Sequence, residues 1–369
     1  MGNNYIRKIS RLMHRELDFI YDRYHYKLTG LTGKQVGNYL LNRLEARQRK
    51  VNPRSYPIAL QLEPTIHCQL DCPLCPRMKA TKDMEPGHMK WSDYEKLMSE
   101  LGPKLIAISF WQWGEPLLYP RITEMIKLAK KYGIMTMIST NAQVDPDEFD
   151  IKSLFAAGLD LLIISMDGLL QETYQQFRKS GRVSKVIEFT EAAVECKREL
   201  NTGHPLINLR IIATRENEHE IDQVREIAGE MGVDVFSVKS VSIYEDADPD
   251  NPSLPENMEL RSFQYQGKES AEEYRELPNL CYKPWSWPTL RYDGTLLACE
   301  CDHASSRVLG NVFEAGSFRE VWTGSKAQEL RCEFPGNGKI TVEFCQQCRY
   351  KMDDAIREIT RFAEKKTTG

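Results

Sequence analysis

Apolar residues occur in short runs through the middle of the chain, and amphipathic stretches separate these runs. The runs predict six strands, at 58–64, 105–111, 134–140, 160–165, 206–213 and 234–240. Helical spacing of apolar residues between them predicts helices near 92–101, 120–132, 147–156, 184–200 and 218–231. Short buried strands alternating with helices are typical of a parallel sheet with right-handed crossovers. We therefore expect an α/β fold, a partial (β/α)6 barrel of TIM-barrel type that stays open.

The amino-terminal 56 residues predict a helical extension. Apolar positions in 5–24 recur at three- and four-residue steps, and a second helix is expected over 34–50. Prolines in the segment 52–57 end this second helix. Its inward face would consist of Val36, Tyr39, Leu40 and Leu44.

The carboxy-terminal third predicts a small α+β domain. A hairpin turning at Asp293-Gly294 is expected within it, and the tail over 351–366 is expected to be a charged helix. The acidic, proline-rich stretch 245–257 predicts a linker or lid. The expected divisions of the chain are 1–56, 57–244, 245–278, 279–350 and 351–369.

Charge is distributed unevenly along the chain. Residues 1–56 carry twelve Lys and Arg against four Asp and Glu, which is +8, so the net charge of −4 leaves −12 for the remainder. A basic amino-terminal helix can contact an anionic lipid surface, RNA or an acidic partner; alternatively, it is a cap whose charged side is solvated. We find no signal peptide and no apolar run long enough to cross a bilayer. We therefore expect a cytoplasmic protein, in which clustered cysteines more often bind metal or react than form disulfides.

Three cysteines follow the first predicted strand within eight residues: Cys68, Cys72 and Cys75. Three thiolates can hold three irons of a [4Fe–4S] cubane and leave the fourth iron open, which separates a reactive site from a structural one. The spacing by itself also permits a zinc site or disulfides.

The segment CQLDCPLC has the Cys-x3-Cys-x2-Cys spacing of the radical S-adenosylmethionine (SAM) enzymes, and three further segments resemble that superfamily in the order it uses. They are WQWGEPLLYP (111–120), STNAQ (139–143) and SMDGLLQETYQQFR (165–178). The resemblance implies that SAM binds the open iron and is cleaved reductively to a 5′-deoxyadenosyl radical that abstracts hydrogen. It also implies that Gly114 and Glu115 bind the methionine amino end. The residues implied for the ribose and sulfonium side are Ser139, Asn141, Ser165 and Asp167. Trp113 departs from the family pattern, because it replaces the first of two glycines.

A second set of cysteines resembles the SPASM domain that many radical SAM enzymes carry. Cys281 is followed by twelve residues, Gly294, four residues and Cys299, and a Cys-x2-Cys pair comes later at Cys345 and Cys348. The resemblance implies a shorter, twitch-type domain whose four thiolates close one auxiliary [4Fe–4S] cluster. The rival is a structural zinc site made from Cys299, Cys301, Cys345 and Cys348. In the first case Cys301 is left over, and Cys301 and Cys332 are either hydrogen donors to a substrate radical or buried small side chains.

The resemblance leaves the substrate open. Our expectation is a radical SAM oxidoreductase-type enzyme acting on a small polar or sugar-derived substrate, with the auxiliary cluster assisting a net oxidation or rearrangement. It rests on the amino terminus, which lacks the strand-rich pattern of the peptide-recognition domains on peptide-maturing relatives. The alternative is a maturase of a ribosomally made peptide, and an alternative of another class is a zinc-stabilised binding module. Either enzyme would need an electron donor such as flavodoxin or ferredoxin.

Overall fold

The structure is a computed structural model that describes residues 14–77, 84–243, 248–278, 280–334, 340–342, 345, 348 and 355–362. Helices and one large sheet alternate through most of these ranges. Within them, no helix combines the length and the apolar character that crossing a lipid bilayer would require.

The first described elements form a β-hairpin, so the helix predicted over 5–24 is wrong in its described part; residues 5–13 lie outside the described residues. Strand β1 (Leu17–Tyr21) pairs antiparallel with β2 (Tyr24–Leu28). The turn residues Asp22 and Arg23 have φ of 46° and 61°, as a two-residue type I′ hairpin requires. Along β1, buried and exposed side chains alternate at Leu17 to Ile20, so its apolar positions satisfied the helical and the strand periods together.

Helix α1 (Gly33–Arg47) confirms the second predicted helix. The hydroxyl of Thr32 caps its first turn, where Thr32 and Gln35 form a reciprocal capping box. The predicted inward position is wrong for Leu40 and Leu44, which are 47% and 53% exposed. The side chains that face inward include four polar ones, Gln35, Asn38, Asn42 and Glu45.

Hydrogen bonding explains this orientation of α1. The Gln35 amide donates to the carbonyls of Leu105 and Tyr132, at 2.7 and 2.9 Å. The Asn42 amide donates to two further carbonyls, Tyr56 O at 2.9 Å and Trp285 O at 2.6 Å. These carbonyls belong to segments outside the strands, where buried backbone groups lack sheet partners and must find others.

A ten-stranded sheet forms the centre of the described molecule. All six predicted strands are found in it: β3 (Ala59–Leu62), β4 (Ala107–Ser109), β5 (Met135–Thr140), β6 (Leu161–Ser165), β7 (Leu206–Ala213) and β8 (Val235–Ser240). They pair in chain order and in parallel. The helices between them are α2 (Trp91–Leu101), α3 (Ile122–Lys131), α4 (Ile151–Ala156), α5 (Gln171–Phe177), α6 (Val183–Glu199) and α7 (Ile221–Met231). The sheet remains open, as expected of a partial barrel.

The amino-terminal hairpin covers part of this sheet. Leu17 and Phe19 of β1 belong to one apolar cluster with Ala107 of β4 and Met137 of β5. The helices pack with alternate strand residues in a second cluster, which includes Ile108 of β4. The middle strands are therefore buried on both faces, which is why their sequences are apolar almost throughout.

The carboxy-terminal region continues the same sheet. Its elements are α8 (Lys268–Glu276), α9 (Lys283–Ser286), β9 (Thr289–Leu290), β10 (Thr295–Leu297), β11 (Val308–Asn311), α10 (Val312–Ala315), α11 (Phe318–Trp322) and α12 (Ser325–Cys332). Strand β9 pairs in parallel with β3, while β10 and β11 add antiparallel strands beyond it. Strands β9 and β10 confirm the predicted hairpin, and Gly294 in its turn has φ of 92°.

Two stretches outside the core strands differ from simple expectation. The predicted linker contains α8 and two 3-10 helices, Met258–Leu260 and Phe263–Tyr265. The helix predicted over 351–366 is wrong where it is described, because β12 (Ile356–Arg361) is a strand that pairs antiparallel with β8. It covers an otherwise open sheet edge, and Arg225 binds Glu358 there through two bonds of 2.7 Å each.

Candidate active site

The three clustered cysteines lie in the loop that follows β3 and line one cavity of about 410 Å³. None of them forms a disulfide. The backbone amide of Cys75 donates to Cys72 O at 3.0 Å, and this turn keeps these two residues close together. Burial raises the pKa of Cys68 to about 11 and also raises the pKa of Cys75. Thiols in such surroundings ionise when a metal centre binds them.

The loop after β4 packs directly on the cysteine loop. A Cβ atom on Gly114 would lie 1.9 Å from Thr65 O, so only glycine permits this approach. The Glu115 amide donates to His67 O at 2.8 Å. Trp113, which takes the place of a glycine in the family pattern, is buried and donates its amide to Glu63 at 3.0 Å. The close approach therefore survives this departure.

The Glu115 carboxylate ties the ends of β4 and β5 together. It accepts bonds from the backbone amide of Leu117 at 3.1 Å, the Thr140 hydroxyl at 2.8 Å and the backbone amide of Asn141 at 2.8 Å. Burial raises its pKa to about 7. Three of its lone pairs are thus directed at the protein, so this carboxylate also positions the loop that carries Asn141.

Ser139, Asn141 and Ser165, for which contacts to the ribose and sulfonium side of SAM are predicted, line the cavity. They stand at the carboxyl ends of β5 and β6, the edge at which parallel sheets place their ligands. The side-chain nitrogen Nδ2 of Asn141 lies 3.6 Å from Cys68 Sγ. These three side chains are therefore brought together with the cysteine loop.

Asp167 does not line the cavity, in contrast to the other predicted contacts. It is fully buried, accepts a bond from the Ile212 amide at 2.6 Å and forms an ion pair with Arg178. Arg178 itself lines the cavity, with its guanidinium 4.0 Å from Cys72 Sγ. The sequence reasoning missed Arg178, although it is the last residue of the motif segment 165–178. The burial of the Asp167 carboxylate is balanced by the Arg178 cation, and the ion pair holds the Arg178 side chain at the cavity.

The amino-terminal hairpin supplies a second missed part of the site. Its tip, Asp22 and Arg23, lines the cavity, and Asp22 pairs with buried Arg210 of β7 at 2.8 Å. The Tyr21 ring packs on Trp111 and Trp287, which also line the cavity. A predicted helix gave no reason to place these residues near the cysteines.

The second cysteine set also converges. Cys281, Cys299, Cys345 and Cys348 line a small cavity of about 10 Å³, and Cys301 lines it as well. Cys332 is exposed and lies elsewhere. Burial raises the pKa of Cys281 to about 11. Across the described ranges, no three His, Cys, Asp or Glu side chains are grouped as one metal ion would need.

Comparison with protein families decides between these possibilities. Residues 62–228 match the model of the radical SAM superfamily, and residues 281–349 match that of SPASM, an iron–sulfur cluster-binding domain. The chain contains a radical SAM domain and a SPASM domain. A radical SAM domain binds a [4Fe–4S] cluster and SAM, and SPASM binds an auxiliary iron–sulfur cluster. The two convergent cysteine sets provide thiol donors of the right kind for both.

Individual relatives differ in how much of this chain they cover. A tungsten-containing aldehyde ferredoxin oxidoreductase cofactor-modifying protein of Pyrococcus furiosus is 31% identical over 186 residues, 49% of this chain and 51% of that protein. The chain thus spans about half the length of that relative. A PqqA peptide cyclase of Bradyrhizobium diazoefficiens is 24% identical over 335 residues, 84% of this chain and 83% of that protein. The fold resembles Streptococcus suis SuiB bound to precursor peptide SuiA, with a TM-score of 0.59, 16% identity, and 89% and 78% of the two chains covered.

Proposed function

We propose that this protein is a radical SAM enzyme that modifies a ribosomally made peptide. The observation that carries the proposal is the convergence of three cysteines with a cavity at the carboxyl ends of the sheet strands. The likeness to the PqqA peptide cyclase, over most of both chains, supports a peptide substrate. Peptide modification was the alternative from the sequence, and the relatives favour it over a small polar or sugar-derived substrate.

The residues have distinct proposed roles. Cys68, Cys72 and Cys75 hold the cluster, whose bound SAM supplies a 5′-deoxyadenosyl radical for abstraction of hydrogen from an unactivated C–H bond. Arg178 presents a buried cation suited to the carboxylate of the methionine moiety, and Asp167 fixes the direction of that cation.

The loops around the nucleotide have proposed roles as well. Gly114 and Glu115 hold the loop after β4 against the cysteine loop, which leaves backbone groups available for the methionine ammonium. Ser139, Asn141 and Ser165 offer short polar groups to the ribose side. Cys281, Cys299, Cys345 and Cys348 hold the auxiliary cluster, with Cys301 beside them.

A small-molecule substrate remains the second candidate, because three observations favour it. The hairpin tip lines part of the cavity. The cavity volume of about 410 Å³ is within the range of small-molecule sites. The first relative above is named for modifying a cofactor. The Asp22–Arg210 ion pair forms part of the cavity wall and offers charged groups to a small polar ligand.

The two candidates separate in one experiment. Reconstituted protein is incubated without oxygen with SAM, a reductant and either candidate precursor peptides encoded near the gene or pools of small metabolites. Formation of 5′-deoxyadenosine with a mass change on a peptide supports the proposal. The same product with no peptide bound or changed, but with a small molecule consumed, would favour the second candidate.

Matched variants identify the sites in that assay. Cys72→Ala should abolish 5′-deoxyadenosine, whereas Cys196→Ala, a half-buried thiol of α6 outside both cavities, should not. Cys348→Ala should reduce substrate conversion more than SAM cleavage. Equal loss of both reactions would mean that the auxiliary cluster feeds the first cluster.

A further inference from the structure

Helix α1 and the residues beside Cys281 form an exposed surface that the proposed chemistry does not use. We propose that this surface binds a small acidic electron-carrier protein of flavodoxin or ferredoxin type. We name it the α1 patch, and it consists of Leu40, Leu44, Leu280, Tyr282, Arg43, Arg47 and Arg49. The inference rests on the proposed function, since it assumes an iron–sulfur cluster at Cys281.

The orientation of α1 fixes the patch. Leu40 and Leu44 are one helical turn apart and stand side by side on the outward face. The inward face is committed to its amide bonds, such as that from Asn42 to Trp285 O at 2.6 Å. Rotating the helix to bury the leucines would break those bonds and leave buried carbonyls without donors. Outward leucines on a helix with a polar inner face are typical of an interaction surface.

Contacts of two arginines connect α1 to the segment beside the auxiliary site. The Arg43 guanidinium lies 5.7 Å from the Tyr282 ring centre, and the Arg49 guanidinium lies 4.6 Å from it. Arg49 also donates to Cys281 O. Leu280 and Tyr282, on either side of Cys281, are 52% and 37% exposed. A protein covering the patch would therefore stand directly over a thiol of the auxiliary cavity.

The charge of the patch selects its partner. In the described part of the chain, Arg43 and Arg47 form no ion pair, and the one acid of α1, Glu45, points inward to the amides of Arg54 and Ser55. A second copy would bring the same arginines against this face and be repelled. An acidic carrier is complementary, and opposite charges around an apolar centre give the fast, weak association that electron transfer needs. Only one electron is exchanged, and one centre is oxidised as the other is reduced.

The test measures binding directly and does not depend on turnover. Oxidised acidic flavodoxin is titrated into the cluster-loaded protein, and complex formation is followed by flavin fluorescence. Leu44→Asn and Arg43→Glu should each weaken binding about tenfold, as loss of a central contact does. The matched controls are Met258→Asn, an exposed apolar residue, and Lys268→Glu, an exposed cation; both should leave binding unchanged. High salt should weaken the wild-type complex.

Two results would overturn the docking proposal. The first is equal binding by the patch variants and the wild type. The second is binding of precursor peptide, or of anionic lipid vesicles, that the same variants abolish while flavodoxin binding persists. Dithionite-driven 5′-deoxyadenosine formation should be unchanged in the patch variants, which separates loss of docking from damage to the fold. Absence of 5′-deoxyadenosine in the wild type refutes the proposed function instead, and the binding titration still decides the docking surface.

Discussion

On α1, replacing a buried polar residue should lower the stability of the protein more than replacing an exposed leucine. The perturbations are Asn42→Leu and Leu44→Asn, two positions apart on one helix. Asn42 is fully buried, and its amide donates to Tyr56 O and Trp285 O. After substitution, Tyr56 O keeps a bond from Asn38 at 3.3 Å. Trp285 O loses its bond from Asn42.

The magnitudes follow from those bonds. One lost bond is worth about 1 kcal/mol and one orphaned buried carbonyl about 1–3 kcal/mol, so Asn42→Leu should lower the free energy of unfolding by about 2–4 kcal/mol. Leu44 is 53% exposed, so Leu44→Asn should lower it by less than about 1 kcal/mol.

Urea unfolding of the cluster-loaded protein, followed by circular dichroism, measures both changes in one series. The midpoint should fall clearly for Asn42→Leu and hardly at all for Leu44→Asn, with the same slope. A larger loss for Leu44→Asn would refute the reasoning, because it would place the leucine inside and the amide outside.

Three other perturbations test the site. Gly114→Ala forces a Cβ against Thr65 O, so it should lower the free energy of unfolding by about 2 kcal/mol or more and weaken SAM binding, both measured by calorimetry. Gly203→Ala, with open space around its Cβ, should change neither quantity. Arg178→Lys keeps the charge but loses the planar fork, so SAM binding should weaken about tenfold; unchanged affinity would remove Arg178 from the proposed site. Burial raises the pKa of Glu63 to about 7, from 4.5 in the unfolded chain. The stabilisation from its neutral form is therefore complete at low pH and is lost as the pH rises through 7. Glu63→Gln should abolish a decline of about 3 kcal/mol in stability between about pH 5 and pH 8, and a decline that persists in the variant would assign it to other groups.

The middle of the fold was predictable because its physical signal is local and repeated. Each strand from β3 to β8 is a short apolar run followed by a polar loop, and the motif residues fall in those loops. The cysteine sets were predictable for a similar reason, since ligand spacing along the chain reflects ligand geometry in space. Asp167 and Arg178 show the limit: both belong to one motif, and only the fold shows which of the two faces the cavity.

The amino terminus shows why the rest was not predictable. The turn at Asp22-Arg23 uses left-handed backbone without the Asn-Gly or Asp-Gly pair that signals a hairpin. In α1, four polar side chains replace an apolar core face because buried backbone groups of other segments require partners: three side-chain amides donate to carbonyls, and Glu45 accepts from the backbone amides of Arg54 and Ser55. Asn42 and Trp285 are 243 positions apart, and no periodicity within one helix contains that information.

The pairing of β9 with β3 has a practical consequence. Two family domains are separate along the chain, yet the amides of Gln61 and Glu63 donate to Pro288 O and Leu290 O across what would be their border, at 3.0 and 2.9 Å. A fragment that ends near residue 245 would leave the β9-facing edge of β3 without a partner strand, and it should therefore aggregate. The SPASM portion thus contributes strands to the central sheet. Gene fusions and truncations therefore need to keep both domains together.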